Sequence, residues 1–156
     1  MKTVKVQKLT PEAFAKFGKV ICTQDREHET NPGVHDWYVK QASIEGCADV
    51  SINLLTVKER ENVVKKFERH EHTKEVCFPL TGGIVVPCLP AGEVTLDRLE
   101  AFYVPAGMGL CFDENVWHFA PHPLSGEVVC AIIFRHGTSF DDLIFEELPE
   151  EAGFTL

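Results

Sequence analysis

Short apolar runs separated by turn residues make up most of the chain. Several runs are apolar at consecutive positions, as in strands that are covered on both faces. Glycine- and proline-containing turns lie between them, as expected for strands joined by tight connections. We therefore predict an all-β sandwich or barrel, with strands in seven segments: 50–57 (VSINLLTV), 62–69 (NVVKKFER), 75–80 (EVCFPL), 83–89 (GIVVPCL), 99–105 (LEAFYVP), 109–112 (GLCF) and 127–135 (EVVCAIIFR).

Helical character is predicted only near the N-terminus. Thr10 is suited to the N-cap, Pro11 to the first helical position, and Gly18 to the end of a short helix. The chain has no internal repeat and no low-complexity linker, so residues 1–156 are predicted to form a single domain.

Composition and charge narrow the class of partner. The chain is 44% hydrophobic and carries a net charge of −9, which argues against nucleic acid and anionic membranes as partners. It has no apolar run long enough to span a bilayer and no signal-like N-terminus, so we expect a cytoplasmic protein. The six cysteines are scattered and are predicted to be reduced and mostly buried. The acidic stretch 141–151 (DDLIFEELPEE) is expected to be a solvated tail.

The stretch 67–83 (FERHEHTKEVCFPLTGG) carries the candidate chemistry. Side chains alternate along a strand, so Glu68, His70 and His72 would share one face, and Arg69 and Glu71 the other. Carboxylates and imidazoles that face a barrel interior need hydrogen-bond partners or a metal. A polar site inside the barrel is therefore predicted.

The spacing in this stretch resembles the first motif of the cupin superfamily: Glu68-x-His70, four residues, Glu75, six residues, Gly82. The second cupin motif is matched in spacing from Gly107 through Asp113-x-Asn115 to His118, although its Pro and inner Gly are replaced. The resemblance implies a metal set of His70, Glu75 and His118, with Glu68 or His72 as a candidate fourth ligand. Such nitrogen and oxygen donors suit Mn, Fe, Ni or Zn. The alternative is a hydrogen-bonded polar cavity without metal that does acid–base chemistry.

Beyond the cupin pattern, the chain resembles the ureidoglycolate lyase family of bacterial allantoin breakdown. The segments that carry the likeness are 9–21 (LTPEAFAKFGKVI), 31–38 (NPGVHDWY), 68–80 (ERHEHTKEVCFPL) and 101–121 (AFYVPAGMGLCFDENVWHFAP). The resemblance implies a cupin-like double-stranded β-helix, that is, a jelly-roll barrel, often assembled as a homodimer. It also implies a carbon–nitrogen lyase that splits ureidoglycolate, a small carboxylate, into glyoxylate and urea.

The chain departs from the family pattern at four positions. Trp37 and Leu54 stand where the family often has Arg, Glu75 where it commonly has Gln, and Asp113 where it commonly has His. Arg69 and Arg135 are kept. We expect Arg135 to bind the substrate carboxylate, because guanidinium groups clamp carboxylates bidentately. Arg69, Trp37 and Tyr38 are the other candidate substrate-binding residues. The chain is thus a divergent member, and its natural substrate stays open.

Ureidoglycolate cleavage needs a base for the hydroxyl proton and an acid for the departing nitrogen. His70 or His118 is the candidate base, and Glu75, with a pKa raised by burial, is the candidate acid. If a metal is held by these residues, Asp113 or His72 becomes the candidate proton acceptor. Two other functions remain open: a metal-dependent cupin isomerase, hydrolase or dioxygenase acting on another hydroxy acid or sugar acid, and a non-catalytic ligand-binding module.

Overall fold

The computed structural model describes all residues from 1 to 156. Fourteen strands and two four-residue helices follow one another along the chain: β1 (Lys2–Lys8), α1 (Pro11–Phe14), β2 (Gly18–Ile21), β3 (Glu29–Asn31), β4 (His35–Trp37), β5 (Val50–Lys58), β6 (Val63–Arg69), β7 (Glu75–Pro79), β8 (Ile84–Leu89), β9 (Glu100–Val104), β10 (Gly109–Phe112), β11 (Trp117–His118), β12 (His122–Pro123), β13 (Glu127–Arg135), α2 (Thr138–Asp141) and β14 (Ile144–Thr155). All seven predicted strands are present.

The N-terminal helix begins as predicted but is shorter. The Oγ1 atom of Thr10 accepts the N–H of Ala13 at 3.1 Å, which caps the helix. The helix ends at Phe14, and Gly18 instead opens β2 with a φ of 145°. A Cβ at Gly18 would lie 1.9 Å from the carbonyl oxygen of Cys111, so this glycine allows β2 to pack closely on β10.

Two sheets form the body of the molecule. One has five strands in the order β2-β10-β7-β13-β5, and the other has seven in the order β11-β6-β14-β1-β9-β8-β12. Because β11 pairs with both β6 and β8, the larger sheet closes on itself. A small hairpin, β3 with β4, forms a third sheet. The predicted all-β barrel with a short N-terminal helix is confirmed.

The main hydrophobic core contains residues from both sheets and from α1. Phe14 and Phe17 pack on Phe102 with ring centroids 5.4 and 5.5 Å apart. All six residues of β8 are buried, as expected from its uninterrupted apolar run. A second hydrophobic cluster lies on the seven-stranded sheet and includes Phe67 of β6, Trp117 of β11 and Leu148 of β14.

The acidic C-terminal stretch is a strand rather than a solvated tail. β14 pairs antiparallel with β6 and parallel with β1. Its acidic residues are exposed, whereas Leu148, Ala152 and Phe154 are buried, and of these three only Leu148 lies within residues 141–151. The predicted solvent exposure is therefore confirmed for the acidic side chains of β14, but the stretch is a paired strand and not a tail. Cysteine burial was predicted correctly, since all six cysteines are free and only Cys47 is not fully buried. No helix is long and apolar enough to cross a membrane.

Candidate active site

Four polar side chains converge between the two sheets. Glu68 lies near the end of β6 and is directly opposite His118 of β11 in the antiparallel register. His70 follows the end of β6, and Glu75 is the first residue of β7 in the facing sheet. The spacing match therefore identified residues that come together in space, although they belong to different sheets.

His70 and His118 each point their Nε2 atom at the carboxylate of Glu75. The Nδ1 atom of His70 donates to the carbonyl oxygen of Asp142 at 2.7 Å, and its Nε2 atom lies 3.0 Å from Glu75 Oε2. The Nδ1 atom of His118 donates to the carbonyl oxygen of Val116 at 3.0 Å. Its Nε2 atom lies 3.5 Å from Glu75 Oε1 but makes no hydrogen bond. Glu75 thus lies between two imidazole Nε2 atoms.

The hydrogen bonds determine the charge that the site requires. A carbonyl oxygen only accepts, so the proton of each neutral imidazole is on Nδ1. The Nε2 lone pairs of His70 and His118 then face a carboxylate, which is unfavourable unless a proton or a metal cation lies between them. Each Nε2 atom therefore faces one oxygen of the buried Glu75 carboxylate, at 3.0 and 3.5 Å. This donor set fits a divalent metal of the predicted kind.

Without a metal, protons provide that positive charge. Burial alone would raise the pKa of Glu75, but the imidazoles of His118 and His70 outweigh it and lower this pKa to about 2. Burial alone would lower the pKa of His70, but the hydrogen bond and charge of Glu75 raise it above its ordinary value. Glu75 is therefore ionised near neutral pH. The expectation of a raised pKa was wrong because two imidazoles lie beside the carboxylate.

Glu68 is the second carboxylate of the site. Ligand atoms of Glu68, His70 and His118 all lie within 4.8 Å of one another. Burial raises the pKa of Glu68. Its side chain receives no hydrogen bond from the protein and lines a cavity between the two sheets. Glu68 is thus placed either as a further metal ligand or as a group that exchanges protons with a bound molecule.

A cavity of about 380 Å³ opens over these residues. Glu68, Glu75 and His118 contribute its charged and titratable groups. The walls are mostly apolar and come from β5, β7, β8, β10, β13 and the segment after β11, with Leu54, Leu55, Phe119, Ile132 and Phe134 among them. No Lys or Arg is part of the lining. A volume of this size suits a small molecule.

Two candidate proton acceptors lie outside the cavity. β6 ends at Arg69, so the side-chain alternation that would have turned His72 inward stops before it, and His72 is exposed. Its N–H donates to the carboxylate of Asp142 instead. Asp113 is half exposed and lies 3.6 Å from Lys74 Nζ. Of the two candidate fourth ligands, the structure thus brings only Glu68 to the imidazoles.

The candidate substrate-binding residues are not in the cavity lining either. Arg135 pairs with Asp141 at the surface. Arg69 pairs with Glu71 and lies over the ring of Trp117, which is a core residue. Both guanidinium groups are therefore committed to neighbours outside the cavity.

Trp37 and Tyr38 belong to the region of the β3–β4 hairpin. Trp37 is 59% exposed, and the ring of Tyr38 packs on His28 at 4.8 Å. Neither residue lines the cavity, because the hairpin pairs only with itself and forms a sheet of its own.

Two residues that support the site had no functional prediction. Asp142 is buried and contacts three consecutive residues, 70 to 72. Asn115 has a φ of 67° and donates its N–H to the carbonyl oxygen of His70 at 2.8 Å. Asn115 stands where the second motif has its inner glycine, and Asn tolerates this left-handed conformation better than most residues. That substitution was the available signal for Asn115, whereas Asp142 had none.

Comparison with known proteins agrees with this architecture. The sequence profile described as "Ureidoglycolate lyase" matches residues 1–151. The chain belongs to the ureidoglycolate lyase family. A protein named ureidoglycolate lyase from Burkholderia mallei is 32% identical over 165 residues, covering 99% of this chain and 95% of its own. The corresponding Burkholderia cepacia protein is 34% identical over 131 residues, covering 78% and 71%. The Escherichia coli K12 protein of that name is 29% identical, covering 95% and 96%.

A more distant likeness concerns a solved structure. A chain of Bacillus subtilis oxalate decarboxylase aligns with 55% of this chain and 21% of its own length, at 16% identity and a TM-score of 0.43. That likeness is too slight to bear on the function of this member of the ureidoglycolate lyase family.

Proposed function

We propose that this protein is a ureidoglycolate lyase, which converts ureidoglycolate into glyoxylate and urea. The observation that carries the proposal is the convergence of Glu68, Glu75 and His118 at one cavity, with His70 behind them, in a chain of this family. The reaction requires proton transfer at a small polar substrate, and the titratable groups of the cavity are gathered at one place.

Glu68 is the residue that we assign to proton transfer. In the reaction the hydroxyl proton leaves as the C–O bond becomes a carbonyl, the C–N bond breaks, and the departing nitrogen gains a proton. One carboxylate can accept the first proton and deliver it to the nitrogen, so the reaction balances without another donor. The Glu68 side chain faces the cavity and is free of protein hydrogen bonds, unlike Glu75, which lies between two imidazoles.

His70, His118 and Glu75 would hold a divalent metal in the same site. The two Nε2 atoms lie 3.0 and 3.5 Å from the oxygens of Glu75, and both imidazoles keep Nδ1–H bonded to main-chain carbonyls, an arrangement common among metal-binding histidines. A bound divalent ion supplies positive charge and lowers the pKa of a hydroxyl group near it. We propose Mn, Fe, Ni or Zn for this ion.

The need to bind an anion also favours the metal. The substrate is a carboxylate, yet no Lys or Arg lines the cavity, and Leu54 stands at its wall where the family pattern often has Arg. A cation for the substrate carboxylate would therefore have to come from a bound metal or from the imidazoles beside Glu75. Among the cavity-lining residues, His118 is our candidate for contacting the substrate carboxylate, because its Nε2 atom makes no hydrogen bond within the protein.

The test is glyoxylate formation from ureidoglycolate by purified protein, with and without added divalent metal. We expect turnover, and we expect Glu68→Gln to lower kcat by about 10²–10⁴-fold, since this is the usual range for a positioned proton-transfer group. Asp113→Asn is the matched control, because Asp113 is half exposed and pairs with Lys74 outside the cavity. No glyoxylate under any metal condition would refute the proposed reaction, and equal losses in both variants would refute the role of Glu68.

We also propose that the protein is a cytoplasmic homodimer. Its six free cysteines suit a reducing compartment. The edge strand β5 exposes Val50, Ile52 and Leu54 at alternate positions, with Ile52 75% and Leu54 71% exposed. Proteins rarely leave apolar edge strands uncovered, and a second copy can pair with the same edge around a two-fold axis.

Light scattering tests the dimer. The wild-type protein is expected to show twice the monomer mass, and Ile52→Lys to shift the equilibrium towards monomer. Phe140→Lys is the control, because Phe140 is 95% exposed but lies on α2 rather than on β5. A monomeric wild-type protein at micromolar concentration would contradict the dimer.

A further inference from the structure

Asp142 is a buried acid that the proposed reaction does not use. It lies directly after α2, in the connection between β13 and β14, and is only 4% exposed. It does not line the cavity. A buried carboxylate is costly unless it is fully hydrogen-bonded, so its partners indicate what it does.

Asp142 makes three hydrogen bonds to one short segment next to the site, residues 70–72. Its Oδ1 atom accepts the N–H of Glu71 and its Oδ2 atom accepts the N–H of His72, each at 2.9 Å. Its main-chain carbonyl accepts Nδ1–H of His70 at 2.7 Å. One residue therefore holds both the backbone that follows His70 and the imidazole ring itself.

Further hydrogen bonds fasten this connection to the same segment. The N–H of Arg135 donates to Thr73 Oγ1 at 3.0 Å. Within the connection, Thr138 Oγ1 donates to the carbonyl oxygen of Arg135 at 2.8 Å, and the N–H of Asp142 donates to the carbonyl oxygen of Thr138 at 3.1 Å. Residues 135–142 are thus fixed against residues 70–73, so the Asp142 carbonyl has little freedom to move.

We propose that Asp142 is a positioning residue that sets the tautomer and ring direction of His70. This inference rests on the proposed function, because it matters only if His70 Nε2 acts in the site. The Asp142 carbonyl keeps the neutral ring in the Nδ1–H form, and its carboxylate keeps the carbonyl in place by holding the N–H groups of Glu71 and His72. The Nε2 lone pair of His70 then points at the site.

Asp142→Asn tests the proposal with little change of shape. An amide has one oxygen where the carboxylate has two, so its NH₂ group would face one of the two backbone N–H donors. Asp141→Asn is the matched control: it makes the same charge change one residue earlier, at an exposed side chain that pairs with Arg135 and contacts neither His70 nor residues 71 and 72.

Two readouts are independent of ureidoglycolate turnover. In metal-free protein at a pH where His70 is neutral, ¹⁵N ring spectra should show only the Nδ1–H tautomer in the wild type and the Asp141 variant, and a mixture in Asp142→Asn. Zn²⁺ titration should show affinity lowered about 10–100-fold in Asp142→Asn and unchanged in Asp141→Asn, as is typical when a residue supporting a metal ligand is changed.

The proposal is overturned if wild-type His70 is in the Nε2–H form, a measurement that holds even if Asp142→Asn does not fold. It is also overturned if the folded variant keeps the wild-type tautomer, or binds Zn²⁺ within twofold of the control. If the wild-type protein shows no lyase activity, the proposed reaction is contradicted, whereas the ¹⁵N spectra and the Zn²⁺ titration still test the role of Asp142.

Discussion

Replacing Glu75 with Gln tests whether a buried charge network stabilises the site. The pKa of Glu75 falls from 4.5 to about 2. Each pKa unit corresponds to about 1.4 kcal/mol, so ionised Glu75 contributes about 3 kcal/mol to the free energy of unfolding at neutral pH. Because the folded-state pKa is the lower one, this contribution is complete above pH 4.5 and is lost as the pH falls towards 2. Gln keeps the shape but has no such pH dependence.

Urea unfolding of chelator-treated protein at pH 7 and pH 3 measures this contribution. The fluorescence of buried Trp117 reports on unfolding. At pH 3 the contribution of Glu75 to the wild type is reduced by about 2 kcal/mol. At pH 7 the variant should be less stable by about 3 kcal/mol, since His70 loses its anionic partner.

Glu71→Gln is the control, because Glu71 pairs with Arg69 at a partly exposed position and surface pairs contribute little. It should behave like the wild type at both pH values. If Glu75→Gln is as stable as the wild type at pH 7, Glu75 is not held ionised by the imidazoles, and the electrostatic account of the site is refuted.

Three further predictions concern other parts of the molecule. Gly18→Ala should destabilise the protein by at least about 2 kcal/mol in thermal unfolding, since its Cβ would lie 1.9 Å from a carbonyl oxygen of β10. The control is Gly126→Ala, which should cost about 1 kcal/mol because the new Cβ would have no atom within 4 Å. Leu148→Ala should cost about 2–5 kcal/mol in urea unfolding, as expected for a core residue of β14, and no loss would return residues 141–151 to a solvated tail. Leu54→Arg should lower KM for ureidoglycolate about tenfold by adding a cation to the cavity wall. Because Leu54 is also exposed on β5, the comparison is made on variant protein with the wild-type mass in light scattering, and an unchanged KM would then place the carboxylate elsewhere.

The site residues divide into those whose place the sequence predicts and those whose place depends on the tertiary structure. Glu68, His70, Glu75 and His118 were found because their spacing in the chain repeats a known pattern. His72 was misplaced because the position at which β6 ends depends on its pairing with β14 and β11. Arg135 and Arg69 were expected at the substrate because guanidinium groups bind carboxylates, but each meets an acidic neighbour first.

The sequence by itself determined the strands, the capped N-terminal helix and the residue types of the site. These follow from local patterns: apolar runs, turn residues, Thr10 before Pro11, and fixed spacings around the histidines. Tertiary structure alone decided that Glu75 is ionised, that Glu68 faces the cavity, and that Asp142 holds His70. Asp142 and His70 are 72 residues apart, and the charge of Glu75 depends on His118 in the facing sheet. Such properties depend on distances that exist only once the two sheets have packed together.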